Sequence, residues 1–271
     1  MSSQSISKKQ LSVGKSIGKG FFGQVSAGTY KAPDGKKYDV AIKKIPKSTA
    51  EEDIQLFHRE IECMLAMNIP EVVRFHGSYE GSTHFYLVFE LMETDLAKLI
   101  AKEALSWADR IDMVISLVKA VSYMHAHSMI HRDIKGENVL VKSVDGKWQA
   151  KLADLGLSRV YDPNKTLTIA RGTTFWMAPE VIMTNRYGPS ADIFSVGMTI
   201  AEIIMRRTPD PKDLPRLNSF LVDGSKLDEV FPDDTPADLK EIVRSCCCTE
   251  PDKRPTAMEL QKRLEALRAT L

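Results

Sequence analysis

The sequence predicts an α+β chain built in two unequal parts, a small sheet-bearing portion followed by a larger, mainly helical one. Up to Met92 the apolar residues come in short alternating runs punctuated by glycine and proline; beyond it they recur at helical spacing. The length of 271 residues lies where single cores begin to divide, which favours two closely joined units.

Taken in order, "SVGKSIGKGFFGQVSAGTYKAPDGKKYDVAIKKI" reads as successive strands, with Ala32-Pro33-Asp34-Gly35 as a turn. Ile54, Phe57, Ile61, Met64 and Leu65 form one stripe of a helix over residues 51–67. Two strand-like runs follow, "VVRFHGSY" and "HFYLVFEL". Ser106-Trp107-Ala108-Asp109 resembles a capping box, opening a long amphipathic helix on Trp107, Ile111, Val114, Val118 and Val121. "ADIFSVGMTIAEIIM" is apolar on nearly every face, as a fully buried helix requires. Two further helices are expected from Ala237 and Thr256, and residues 1–10 as a flexible tail.

With 37 basic and 36 acidic residues the net charge is +1, so no nucleic-acid footprint is expected. Cys63 and the run Cys246-Cys247-Cys248 lack zinc-finger spacing, and adjacent cysteines do not readily bridge, so reduced thiols are expected. "MSSQSISKKQ" has no apolar core of the signal-peptide kind, and "VGMTIAEIIM" is about half the length of a membrane span. The expectation is a cytoplasmic protein, with the nucleus as second choice and no membrane partner.

Three groups of residues carry chemistry. Gly18-Lys19-Gly20-Phe21-Phe22-Gly23-Gln24-Val25 fits G-x-G-x-x-G-x-V, and glycines let backbone amides approach phosphates closely. A dinucleotide fold would start a helix at that loop, whereas a strand and a Pro-Asp-Gly turn follow here, so a strand-turn-strand flap is the reading. Val40-Ala41-Ile42-Lys43 ends an apolar strand with an ammonium, which ordinarily snorkels from a strand edge. Glu60, inside the apolar stripe of the first helix, needs a partner, and a Lys43–Glu60 pair would satisfy both. The octet "HRDIKGEN", residues 131–138, gathers acids, cations and an amide on a connection between two apolar runs.

Together with "DLG" at 154–156, "APE" at 178–180 and Arg254 in "DKRPT", these motifs resemble, in content and order, the eukaryotic protein kinase family. The resemblance covers about residues 11–268 and implies the two-lobed kinase fold, an antiparallel-sheet N-lobe with one key helix over 11–91 and a mainly helical C-lobe over 92–271. It implies ATP and Mg2+ as cofactors. Asp133 would accept the substrate hydroxyl proton, Lys135 would neutralise the γ-phosphate, and Asn138 and Asp154 would ligate magnesium. Lys43, oriented by Glu60, would hold the α- and β-phosphates beneath Gly18, Gly20 and Gly23. Ile17, Val25, Ala41 and Leu140 would sandwich the adenine, Glu90 to Met92 would offer it backbone hydrogen bonds, Asp95 would take the ribose, and Phe89 would close the pocket behind. His131 is expected to be a packed core residue, stacked with Met64, Phe75 and Leu155 over Asp192. Glu180 and Arg254 are expected to form a structural ion pair.

Lys135 and Thr173 match the serine/threonine branch, with features of both the STE and the tyrosine-kinase-like groups. The expected partners are protein substrates bearing serine or threonine, and an upstream activating kinase or self-phosphorylation in trans, with the chain a monomer or transient dimer. Thr168, or else Thr166, is the expected activating phosphosite, read by Arg132 and Arg159. Leu155, Phe194 and Thr174 depart from the usual phenylalanine, tryptophan and proline. A nucleotide-binding scaffold without transfer is the main rival; it predicts loss of Lys43, Asp133, Asn138 or Asp154, and all four are present. A small-molecule phosphotransferase is the second rival, disfavoured by the intact "APE" segment and Arg254.

Overall fold

The computed structural model describes residues 5–20, 23–47, 51–160, 174–209, 222 and 226–271. It divides into two compact units, Met1–Met92 and Glu93–Leu271.

In the first unit β1 (Leu11–Gly20), β2 (Gly23–Lys31), β3 (Lys37–Pro46), β4 (Phe75–Glu80) and β5 (His84–Glu90) form one antiparallel sheet in the order β1-β2-β3-β5-β4, with α1 (Glu51–Ala66) inserted between β3 and β4. The predicted turn is present: Ala32 accepts from Gly35 and donates to Lys36 through the backbone. Alternation along β3 sorts its side chains onto two faces. Val40 and Ile42 enter a cluster with Tyr30 and Val88. On the other face Ile45 packs against a cluster of Phe57, Phe85 and Leu87, in which Phe57 of α1 stacks on Phe85 with centroids 4.0 Å apart. Leu65, expected within the helix's apolar stripe, is exposed, while Phe57 and Met64 are buried.

The expected flexible tail needs correction from residue 5 onward. Ile6 is 3% exposed in the Tyr30–Val40 cluster, its amide donates to Ser78 at 2.8 Å, and residues 8–10 form a 3-10 turn. An apolar side chain with a core vacancy of its own size docks even from a polar segment.

The second unit holds β6 (Thr94–Asp95), α2 (Leu96–Lys102), α3 (Trp107–Ala126), β7 (Met129–Ile130), β8 (Val139–Val144), β9 (Lys147–Leu152), β10 (Arg159–Val160), α4 (Pro179–Thr184), α5 (Pro189–Met205), α6 (Leu227–Val230), α7 (Ala237–Cys246) and α8 (Ala257–Arg268). Ser106 caps α3 by accepting from the Asp109 amide, and Thr256 and Glu259 form a capping box at α8. Every residue of α5 from Ala191 to Ile204 is buried, so this helix is the axis of the unit's core. Two small sheets, β6-β8-β9 and β7-β10, interrupt the helical region, which the helical reading of the sequence had not separated. The signal for the β8–β9 hairpin was Asp145-Gly146: both adopt positive φ, 51° and 77°, as a two-residue hairpin turn demands. No described helix is long and apolar enough to cross a membrane. All four cysteines are free thiols.

Candidate active site

The octet connects β7 to β8, and the β8–β9 hairpin decides what lies beside it. Val139 pairs with Leu152, so the residue before β8 meets the residues after β9, and the Ala153 amide donates to the Asn138 carbonyl at 2.8 Å. That contact brings Asp154 next to Asn138. His131 is fully buried; its Nε2 donates to the Ala153 carbonyl at 3.0 Å, and its Nδ1 accepts the Asp133 amide at 3.3 Å. His131 is thus the packed residue expected. Asn138 donates Nδ2 to both the carbonyl (2.7 Å) and Oδ2 (2.9 Å) of Asp133. Lys135 Nζ lies 3.5 Å from Asp133 Oδ2 and 3.3 Å from Glu137 Oε2.

The octet's backbone is strained and firmly held. Arg132 has φ 75° and Asp154 φ 56°, a region side-chain-bearing residues enter at a cost of about 1–3 kcal/mol each when surroundings enforce it. The enforcement comes from α5. Asp192, wholly buried, accepts the Arg132 amide on Oδ1 and the His131 amide on Oδ2, each at 2.9 Å, while His125 Nε2 also reaches Oδ2 at 2.9 Å. Burial pushes the Asp192 carboxyl toward protonation, but these hydrogen bonds outweigh it and hold the pKa below the ordinary carboxylate value. Ten residues further along α5, Glu202 is 1% exposed, and its Oε2 accepts the Gly136 amide at 2.9 Å. A Cβ on Gly136 would stand 2.7–2.9 Å from that carboxylate, so a side chain there would require Glu202 to shift. Burial pushes the Glu202 pKa up to about 7.

In the first unit, Lys43 is not at a strand edge. It sits in the central strand, 9% exposed, opposite Val25 of β2 and Leu87 of β5 and on the same face as Ala41. Ile17 is 47% exposed on β1. Gly20 pairs with Gly23, where a Cβ would fall 2.0 Å from the Lys44 carbonyl oxygen; Gly18 has open space around it. Phe89 and Phe75 meet with centroids 5.5 Å apart, filling the sheet face next to Ala41. Glu90 exchanges contacts with Arg74, its amide donating to the Arg74 carbonyl and its Oε1 accepting the Arg74 amide. The backbone amide and carbonyl of Met92 have no partner among the described residues.

Asp95 and Leu140 lie opposite each other on β6 and β8. Asp95, expected at the ribose, is the N-cap of α2: Oδ1 accepts the Lys98 amide at 2.9 Å and Oδ2 pairs with Lys98 Nζ at 2.7 Å. Both its oxygens already serve a local structural purpose. Leu140 is half-buried on β8, opposite Asp95. The Glu60 and Arg159 side chains and residues Thr166, Thr168 and Thr173 lie outside the described residues, and with them the Lys43–Glu60 pair and the phosphosite.

A search against protein families matches residues 11–264 to the family described as "Protein kinase domain". The chain belongs to the protein kinase domain family. It is 35% identical to "Probable serine/threonine-protein kinase kinX" of Dictyostelium discoideum over 277 aligned residues, covering 98% of this chain and 24% of that one. It is 33% identical to "Probable serine/threonine-protein kinase drkA" of the same organism, covering 95% and 40%. It is 30% identical to "Dual specificity testis-specific protein kinase 1" of Rattus norvegicus, covering 93% and 40%. The chain therefore spans between a quarter and two-fifths of these relatives' lengths.

Within this kinase domain two of the three departures, Leu155 and Phe194, have packing explanations. Leu155 is 1% exposed and opens a 3-10 turn, Leu155–Leu157. Phe194 is fully buried, with the Arg254 guanidinium 5.0 Å from its ring centroid. Arg254 also makes the expected bidentate pair with Glu180, at 2.7 and 2.9 Å. Glu202 and Gly136 were missed in the sequence, although a lone acid in "TIAEIIM" was the available signal.

Proposed function

We propose that the protein is an ATP- and magnesium-dependent protein kinase acting on serine and threonine hydroxyls. The observation that carries this reading is the hydrogen-bonded network joining Asp133, Lys135, Asn138 and the Ala153 amide, which precedes Asp154, in a chain that belongs to the kinase domain family. ATP would supply the γ-phosphoryl group, and magnesium, held by Asn138 and Asp154, would neutralise the charge of its phosphates. The donor set suits that ion: with Nδ2 committed to Asp133, Asn138 Oδ1 accepts no hydrogen bond among the described residues, and Asp154 adds a carboxylate, both hard oxygen ligands.

Asp133 orients the substrate hydroxyl and accepts its proton at the carboxylate. Lys135, held against Asp133, places positive charge where the transferred group's oxygens gather. Lys43, held in the central strand, binds phosphate oxygens, and the Met92 backbone offers a donor and an acceptor for the adenine edge. We read the loop threonines as the regulatory element, on the sequence alone; intact-mass and peptide mass spectrometry of active enzyme should find Thr168 or Thr166 phosphorylated.

The test of the main reading is transfer of labelled γ-phosphate from ATP with magnesium to a generic protein acceptor, followed by phosphoamino-acid analysis. Label on serine and threonine is expected. Nucleotide binding with no transfer would favour the scaffold, and label on tyrosine would broaden the acceptor class toward that in the name of the rat relative.

A further inference from the structure

Residues 5–10 precede the first strand, yet they touch both edges of the first unit's sheet. We propose that this segment is a clasp joining the outer strands β1 and β4, and that docking of Ile6 behind β3 sets the affinity for the nucleotide. This rests on the kinase reading above.

The strand order β1-β2-β3-β5-β4 puts β1 and β4 at opposite edges. Ser5 forms a parallel bridge with Ser78 of β4, and the Ile6 amide donates to the Ser78 carbonyl at 2.8 Å. Residues 8–10 then make their 3-10 turn, and Leu11 opens β1 opposite Tyr30. Gln10 secures the turn on two sides: its Oε1 accepts the Ser7 amide at 2.9 Å, and its Nε2 donates to the Lys31 carbonyl of β2 at 3.2 Å. One covalent segment thus links the two edges. Both edges are irregular, because β1 shifts register twice against β2 and β4 shifts once against β5, between Phe75 and Gly77. Register is weakly specified in a glycine-bearing, exposed strand such as β1, so a tie from outside has something to fix.

The Ile6 side chain shares its cluster with Tyr30, Val40, Ile42 and Val88, drawn from β2, β3 and β5. Tyr30 in turn meets the rings of Tyr38 on β3 and His76 on β4, with centroids 6.4 and 5.6 Å apart. Alternation sets Val40 and Ile42 on one face of β3 and Ala41 and Lys43 on the other. Ile6 therefore stands directly behind the strand that carries the phosphate-binding lysine. Ser5, Ser7, Lys8 and Lys9 are exposed, so Ile6 is the one buried side chain of residues 5–10. A segment held by a single apolar side chain exchanges between docked and undocked states. Undocking releases β1, and with it the glycine hairpin, from the geometry that receives phosphates, and apparent affinity falls in proportion to the docked fraction.

The test compares Ile6→Leu and Ile6→Asp with the wild type, measuring KM for ATP, kcat, ATP–magnesium affinity by calorimetry, and amide hydrogen exchange over residues 5–20. An unpaired carboxylate is too costly in that apolar place, so the aspartate variant undocks the segment. Its KM for ATP and its calorimetric dissociation constant should rise by about 3- to 10-fold, with kcat within about twofold and faster exchange over 5–20. Ile6→Leu should match the wild type in all four. A further protein, Ile6→Ala with Ser5→Cys and Ser78→Cys, makes the comparison within one folded molecule: the closed disulfide should restore wild-type affinity, and reduction should remove it. Unchanged ATP affinity in Ile6→Asp despite fast exchange over 5–20, or equal affinity of the oxidised and reduced double-cysteine protein, would overturn the proposal. If Ile6→Asp does not fold, the cysteine pair decides it. Should the wild type itself fail to transfer phosphate, the kinase reading falls, while calorimetry still decides whether the clasp sets nucleotide affinity.

Discussion

Residues 131–138 are held by two buried carboxylates on α5 and by side-chain bonds among themselves, whereas the described part of the glycine hairpin of β1 and β2 is held mainly by backbone pairing. In β1 every residue from Ser12 to Gly18 is exposed, and the pairing shifts register twice. The contrast follows from the two chemistries. A proton acceptor and cation ligands must keep fixed mutual geometry, which needs over-determined anchoring of a strained backbone. A phosphate cradle made of amides needs only a backbone free of side chains. Substitutions in the octet and its anchors should therefore alter rate and stability, and substitutions in the hairpin should alter nucleotide affinity alone.

The largest expected effect is Asp154→Ala, which removes the carboxylate proposed to ligate the cation: transfer should drop by about a thousandfold or more, measured as initial rate at saturating ATP and magnesium. Asp192→Asn comes next. It turns an acceptor into a donor facing the Arg132 or His131 amide in a fully buried place, and should cost on the order of 3 kcal/mol in denaturant unfolding while also slowing transfer.

Glu202 gives a smaller, pH-dependent effect. Its folded pKa of about 7 exceeds the ordinary 4.5, so the folded state keeps the proton longer than the unfolded state does. Stability from this group therefore declines as pH rises from about 4.5 to about 7 and is level outside that window. Urea titrations should show wild type gaining on Glu202→Gln when pH is lowered from 7.5 to 5. The smallest expected effect is Ile17→Ser on the hairpin: a change within about 0.5 kcal/mol in stability, because the side chain is already exposed, with a raised KM for ATP. A loss of stability there as large as that of Asp192→Asn would erase the contrast between the two regions.

Much of this was readable in advance because it is written in local pattern. The alternation of β3, the cap at Ser106 and the apolar saturation of α5 each produced the expected element. The octet and Asp154 were found as motifs, yet their adjacency depended on the Asp145-Gly146 hairpin, a nonlocal consequence of one turn. The capping role of Asp95 was not legible from the motifs, because a residue before a helix is also a natural cap and the spacing to Lys98 provides its local partner. Ile6 was hidden because one apolar residue among polar ones carries no periodicity. Glu202 was hidden because the same burial that makes α5 legible draws attention away from its acids.

The most direct measurement is transfer by Asp133→Asn beside wild type, with ATP–magnesium binding to both measured by calorimetry. The account predicts that affinity stays within about twofold while transfer falls by about 10²- to 10⁴-fold, the usual worth of a positioned proton acceptor. Transfer by the asparagine variant at the wild-type rate would contradict it.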